Sequence, residues 1–260
     1  MPRKSLRVAL LLAVLALTVT ILLDTRVPPP PDWDEPLRVV IYPYNADGSQ
    51  AVADHIADRR LADFLPVEDF FAEQAARYGL GLERPFELAL GAEIEVAPTA
   101  PPRSRNLLTR ARWGLSVRWW HFRFRDQVNK PDIIVVARYH NPNELPRTMH
   151  SIAIAAQRLA VAKLVADDLH NANNHVVLAH EILHTVGAGD LYDPATGLPL
   201  YPEGYADPNR TPLHPQHQAE IMAGRIPLTP FRSREAISLH ETLIGPATAR
   251  EINWPTNPPE

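Results

Sequence analysis

Two short, strongly apolar stretches limit the architectures open to this chain. Residues 132–137, DIIVVA, are bounded by Pro131 and the turn-rich Asn141-Pro142-Asn143, which predicts a central strand covered on both faces. Residues 37–42, LRVVIY, read as a second buried strand, stopped by Pro43 and the turn Asn45-Ala46-Asp47-Gly48. Between them, VEDFFAEQAARYG spaces Val67, Phe70, Phe71, Ala75 and Tyr78 for a helix over 67–79, with Pro66 ahead of it and Gly79 as its stop. A strand is expected over 86–96 and a loop over 98–102. Residues 151–167 suggest one or two more strands, although their alanines also permit helix. Strands and helices thus alternate, and neither an internal repeat nor a mid-chain linker divides residues 37–260.

The 260 residues carry a formal net charge of −4, so no overall basic excess advertises nucleic acid, and none is expected as a partner. The absence of cysteine excludes disulfides, thiolate metal sites and a cysteine nucleophile, leaving histidine and carboxylates as metal ligands. Residues 106–126 interleave arginines with Trp113, Trp119, Trp120, Phe122 and Phe124. Such a pattern suits a nucleic-acid or membrane surface. A helix that buries its tryptophans while arginines reach solvent gives the same composition and is the reading preferred from sequence.

At the N-terminus, Arg3, Lys4 and Arg7 precede an uncharged apolar run over residues 8–23, close to membrane-spanning length. It ends in Ile21-Leu22-Leu23-Asp24 rather than in small residues, which favours an uncleaved anchor over residues 1–24. The basic residues would stay in the cytoplasm and the rest of the chain outside it. Secretion after signal cleavage is the alternative. Residues 25–36, with VPPPPDWDEP, read as a proline-stiffened spacer.

The chemistry concentrates in VVLAHEILHTVGAGDLYD, residues 176–193. His180 and His184 are four apart, so on a helix both imidazoles can meet one divalent metal while Glu181 reaches a water beside it. Asn173 or Asn174 can cap the helix, and Val176, Ala179, Leu183 and Val186 form its apolar stripe. Gly187 would end it in the left-handed conformation that glycine adopts readily. The spacing continues to Asp190, whose carboxylate is an acceptable zinc ligand. Asp193 follows closely but does not match this spacing. Some thirty residues on, Glu220-Ile221-Met222-Ala223-Gly224 places a methionine in a glycine-closed turn.

This combination, HExxHxxGxxD followed by a Met-turn, resembles the metzincin zinc metallopeptidases, specifically the aspartate-bearing, snapalysin-like variant. The likeness covers residues 176–224. It implies an α+β fold with a mixed sheet backed by helices, an active-site helix below it, and substrate bound in extended form along the edge strand. It also implies one catalytic Zn2+ bound by His180, His184 and Asp190, with Glu181 as general base and Met222 and Gly187 in support. The tyrosine that follows the Met-turn in some metzincins is replaced by Gly224, leaving Tyr192, Tyr201 or Tyr205 for that role.

The expected function is therefore a membrane-anchored, zinc-dependent endopeptidase. Its expected partners are a protein or peptide substrate and, through the N-terminal helix, a membrane. The alternative is a zinc-stabilised binding domain without turnover. Between the third ligand and Met222 the chain should form a long ordered loop, one wall of a cleft, with His214 and His217 in it as a conceivable second metal pair. Residues 233–244, SREAISLHETLI, read as a C-terminal helix stopped by Gly245-Pro246.

Overall fold

A computed structural model describes residues 7–8, 11–12, 14–15, 28–102, 104, 106–125, 131–144 and 151–255. The fold is mixed α+β. Among the described residues from 28 onward, five α-helices and nine strands follow one another as β1 (Leu37–Asn45), α1 (Gln50–Asp58), α2 (Leu65–Arg77), β2 (Phe86–Leu90), α3 (Leu107–Arg125), β3 (Ile133–His140), β4 (Ile152–Ile154), β5 (Leu159–Val165), α4 (Asn171–Thr185), β6 (Ala219–Glu220), β7 (Arg225–Thr229), β8 (Arg232–Glu235), β9 (Thr242–Leu243) and α5 (Pro246–Glu251).

The main sheet has the order β2-β1-β3-β5-β4. Its first four members are parallel, and β4 lies antiparallel on β5 at the edge, with Ala153 opposite Ala160. Alternation along the central strands sends Val39, Ile41, Val135, Ala137 and Leu164 to one face, where they pack with α1, α2 and α4. Val40, Tyr42, Ile134, Val136 and Val161 face the other way, against α3. The unbroken apolar run that opens β3, residues 133–137, follows from this double coverage.

Several boundaries differ from expectation for identifiable reasons. β1 runs through Pro43 to Asn45, because β2 pairs with it only as far as Ile41 and no ladder donor is needed beyond that point on that side. β2 stops at Leu90 rather than residue 96, and Gly91 just beyond it sits directly against the Tyr42 ring, where a side chain has no room. Pro66 lies within the first turn of α2, and residues 151–167 resolve into strands β4 and β5.

The expected helix over 233–244 is instead β8, a short 3-10 turn and β9. Pro246, read as a stop, occupies the first turn of α5, where a missing N–H costs nothing. Of the expected spacer over 25–36, the described residues 28–36 do more than connect. Trp33 is buried at φ 60°, donates its indole N–H to the Ile252 carbonyl at 2.6 Å, and packs edge-on against Phe86 and Trp254.

No helix among the described residues is long and apolar enough to cross a membrane. This corrects the expected single-pass anchor and the topology built on it, an N-terminus in the cytoplasm and a domain outside. The 19-residue α3 has the length, but it carries Arg110, Arg112, Arg118, Arg123 and Arg125. Most of residues 1–24 lie outside the described residues.

Candidate metal centre

Helix α4 positions the central residues. A 3-10 turn precedes it, capped by Asp167, whose side chain accepts from the Leu169 N–H. Asn174, a cap candidate by sequence, lies inside the helix and does something else. Buried, it accepts from Val165 N at 3.0 Å and donates to Val165 O at 2.9 Å, stapling α4 to β5. Val176, Leu178, Ala179, Ile182 and Leu183 are buried against the sheet. The helix ends at Thr185, and Gly187 follows with φ +116°, a conformation that L side chains rarely adopt. The chain then reverses, with Ala188 N donating to Leu183 O at 3.1 Å.

This reversal brings Asp190 back over the helix. Its Oδ1 stands 3.3 Å from His180 Nε2 and 3.2 Å from His184 Nε2, and the two Nε2 atoms are 3.0 Å apart. Each imidazole is fixed by its other nitrogen. His180 Nδ1 lies 3.0 Å from the Ile221 carbonyl, and His184 Nδ1 2.7 Å from the Ala188 carbonyl. A carbonyl only accepts, so each Nδ1 carries the proton and each neutral ring directs a lone pair from Nε2. Three acceptors therefore converge on one point, an arrangement that a cation satisfies. Ligands about 2.05 Å from a tetrahedral zinc lie about 3.3 Å from one another, close to the three separations found.

Glu181 offers a carboxylate oxygen in the same cluster, where ligand atoms of His180, Glu181 and His184 all lie within 4.8 Å of one another. Its Oε2 is buried and has no hydrogen-bond partner. Burial pushes its pKa up, and the neighbouring histidines only partly counter this. Burial also works to raise Asp190, but when the imidazoles carry a second proton their Nε2 hydrogen bonds to it prevail and hold it well below the usual carboxylate range. For His180, burial opposes the charge, while its contacts with Asp190 outweigh that and raise the pKa.

Asp193 is placed differently. Its carboxylate accepts from Ala195 N and Thr196 Oγ1, both at 2.9 Å, and is occupied in its own turn. Met222 is fully buried in the turn that supplies the Ile221 carbonyl, and its own carbonyl accepts from Leu191 N at 3.1 Å. Gly224 closes that turn at φ +65°. Beneath it, the buried carboxylate of Glu220 accepts from Met222 N, Ala223 N, Gly245 N and Thr248 Oγ1. This anchoring role of Glu220 carries no motif of its own in the sequence.

Of the three candidate tyrosines, Tyr192 lines the cleft, with its hydroxyl near the carboxylate of Asp190. Burial, followed by the charge of Asp190, raises its pKa. Tyr205 contacts His214 at 3.1 Å, and Tyr201 is 58 % exposed. The alternation Asp190-x-Tyr192 was the available sequence signal. His214 is engaged with Tyr205 and His217 is exposed, and among the described residues neither belongs to a group of His, Asp or Glu side chains close enough to hold a metal. The intervening loop is ordered by the bridges Tyr192 to Pro199 and Tyr205 to Ala219.

The cleft, about 460 Å³, has the metal-ligand candidates on one side and Ser151, Ile152 and Ala153 of the β4 edge on the other. No family model and no curated protein matches the chain.

Proposed function

We propose that this chain is a zinc-dependent endopeptidase of metzincin type. The observation that carries the reading is the convergence of His180 Nε2, His184 Nε2 and Asp190 Oδ1 beside the unpartnered Oε2 of Glu181. Two imidazoles and a carboxylate suit zinc and leave a fourth position open. A zinc ion there supplies Lewis acidity, polarising a peptide carbonyl and lowering the pKa of a water from about 16 toward 7.

The remaining steps belong to the protein. Glu181 takes the proton from the attacking water, and its raised pKa suits it to hold that proton. It then delivers the proton to the leaving amine as the C–N bond breaks. Tyr192, which lines the same cleft, donates on this reading to the oxyanion that develops on the substrate carbonyl. The β4 edge offers backbone groups for an extended peptide, so the scissile bond would lie across the cleft in strand form.

The test is Glu181→Gln in the purified protein. Zinc content should remain near one per chain while hydrolysis of an unfolded protein substrate collapses. Unchanged hydrolysis would remove Glu181 from the mechanism, and absence of zinc from the parent protein would remove the reading itself.

A further inference from the structure

Helix α3 takes no part in the proposed centre, and its two faces are both apolar. On the inner face Trp113, Val117, Trp120 and Phe124 follow helical spacing against the sheet. Their polar tips are satisfied, since Trp113 Nε1 donates to Thr99 O at 2.8 Å and Trp120 Nε1 to Val96 O at 2.7 Å. The expectation that the helix buries its tryptophans fails at Trp119, which faces outward.

Leu108, Leu115, Trp119 and Phe122 lie within about 60° of one line along the outer surface, at 100° per residue. They are 81 %, 39 %, 62 % and 60 % exposed, and the Trp119 and Phe122 rings stack at 6.1 Å. A continuous row of this kind on an outer face marks a contact surface, unlike single scattered apolar residues. Arg112 and Arg123, both exposed, flank the row on one side, and Arg118 flanks it on the other. The helix holds five arginines and no carboxylate, in a protein of net charge −4.

We propose that α3 is an interfacial helix that seats the protein on an anionic phospholipid surface, lying in the headgroup plane without crossing the bilayer. Leucines and aromatic rings together seek hydrocarbon, while the guanidinium groups beside them seek phosphate. The arginines that prevent α3 from spanning a bilayer are the ones that hold it at the surface. A nucleic acid would use the aromatic rings by stacking, but it has no use for the leucines in the same row. A second copy would set arginines against arginines with no carboxylate on either helix to neutralise them. Because α3 and α4 cover opposite faces of the sheet, this contact leaves His180, Glu181 and His184 outside it.

Flotation of the full chain with lipid vesicles tests the proposal. Binding to vesicles of mixed phosphatidylglycerol and phosphatidylcholine should exceed binding to phosphatidylcholine alone by roughly tenfold, and should weaken with added salt. The exposed-residue variant Trp119→Ser/Phe122→Ser should lose about tenfold in affinity for the mixed vesicles. Arg112→Gln/Arg123→Gln should abolish the preference for anionic lipid. Circular dichroism should show both variants folded. Equal binding to the two vesicle types overturns the proposal. So does parent-like flotation of both variants, which would assign lipid contact to another segment. Tighter binding to a single-stranded oligonucleotide, or a dimer that these substitutions dissolve, would replace lipid by nucleic acid or by a second copy.

Discussion

His180 is fastened through Nδ1 to the carbonyl of Ile221, 41 residues away in sequence and 3.0 Å away in space. The turn containing Met222 thus sets the orientation of a candidate ligand without touching the metal position itself. Holding the ring by its second nitrogen fixes the tautomer and limits the entropy lost when a cation binds.

Asp190 completes the convergence, and its removal should be selective. Asp190→Ala should leave the chain folded but bring its zinc content close to zero after dialysis. Asp193→Ala should retain zinc, because that carboxylate is committed to Ala195 and Thr196. Elemental analysis of the two purified variants checks the contrast, and zinc loss from Asp193→Ala alone would reverse the assignment.

Tyr192→Phe removes one hydroxyl from the cleft and no ligand atom. The expected result is a fall of about 100-fold in kcat, little change in KM, and zinc content equal to that of the parent. A rise in KM at constant kcat would instead place Tyr192 in substrate binding.

Asn174→Ala should act on stability alone. It leaves the Val165 N–H and carbonyl without their side-chain partners, at a cost of about 2 kcal/mol. Urea unfolding should show a lower midpoint with an unchanged slope.

His140 gives a pH dependence with a definite sign. Burial, then the nearby charges of Arg138 and Lys163, hold its folded pKa below the ordinary 6.5. As pH falls through and below that value, the unfolded chain takes up a proton that the folded chain resists, so stability is lost toward acid. His140→Gln cannot take up that proton. Its stability relative to the parent should improve as melts are moved from neutral toward acidic pH, and a difference independent of pH would show that His140 protonates equally in both states.

The sequence makes some parts of this molecule readable because one local cause governs them. The run that opens β3, residues 133–137, is apolar throughout since both its faces are covered, and Gly187 marks the end of α4 since the reversal there needs positive φ. Other parts depend on distant partners. The fate of residues 233–244 turned on whether Pro246 closes one helix or opens another, and periodicity over so few residues does not decide it. Asn174 looks like a cap until β5 is beside it. The choice of Tyr192 over Tyr201 and Tyr205 required the path of the whole intervening loop.

The far end of the chain has a bearing on timing. Glu251 accepts the Gly189 N–H across 62 residues, and Thr248 reaches back 28 residues to Glu220 beneath the Met222 turn. A nascent polypeptide that has emerged only through the HExxH helix still lacks both of these ties. On the proposed function, the segment carrying Asp190 and the turn carrying Met222 gain these two ties only once α5 has been made and has docked.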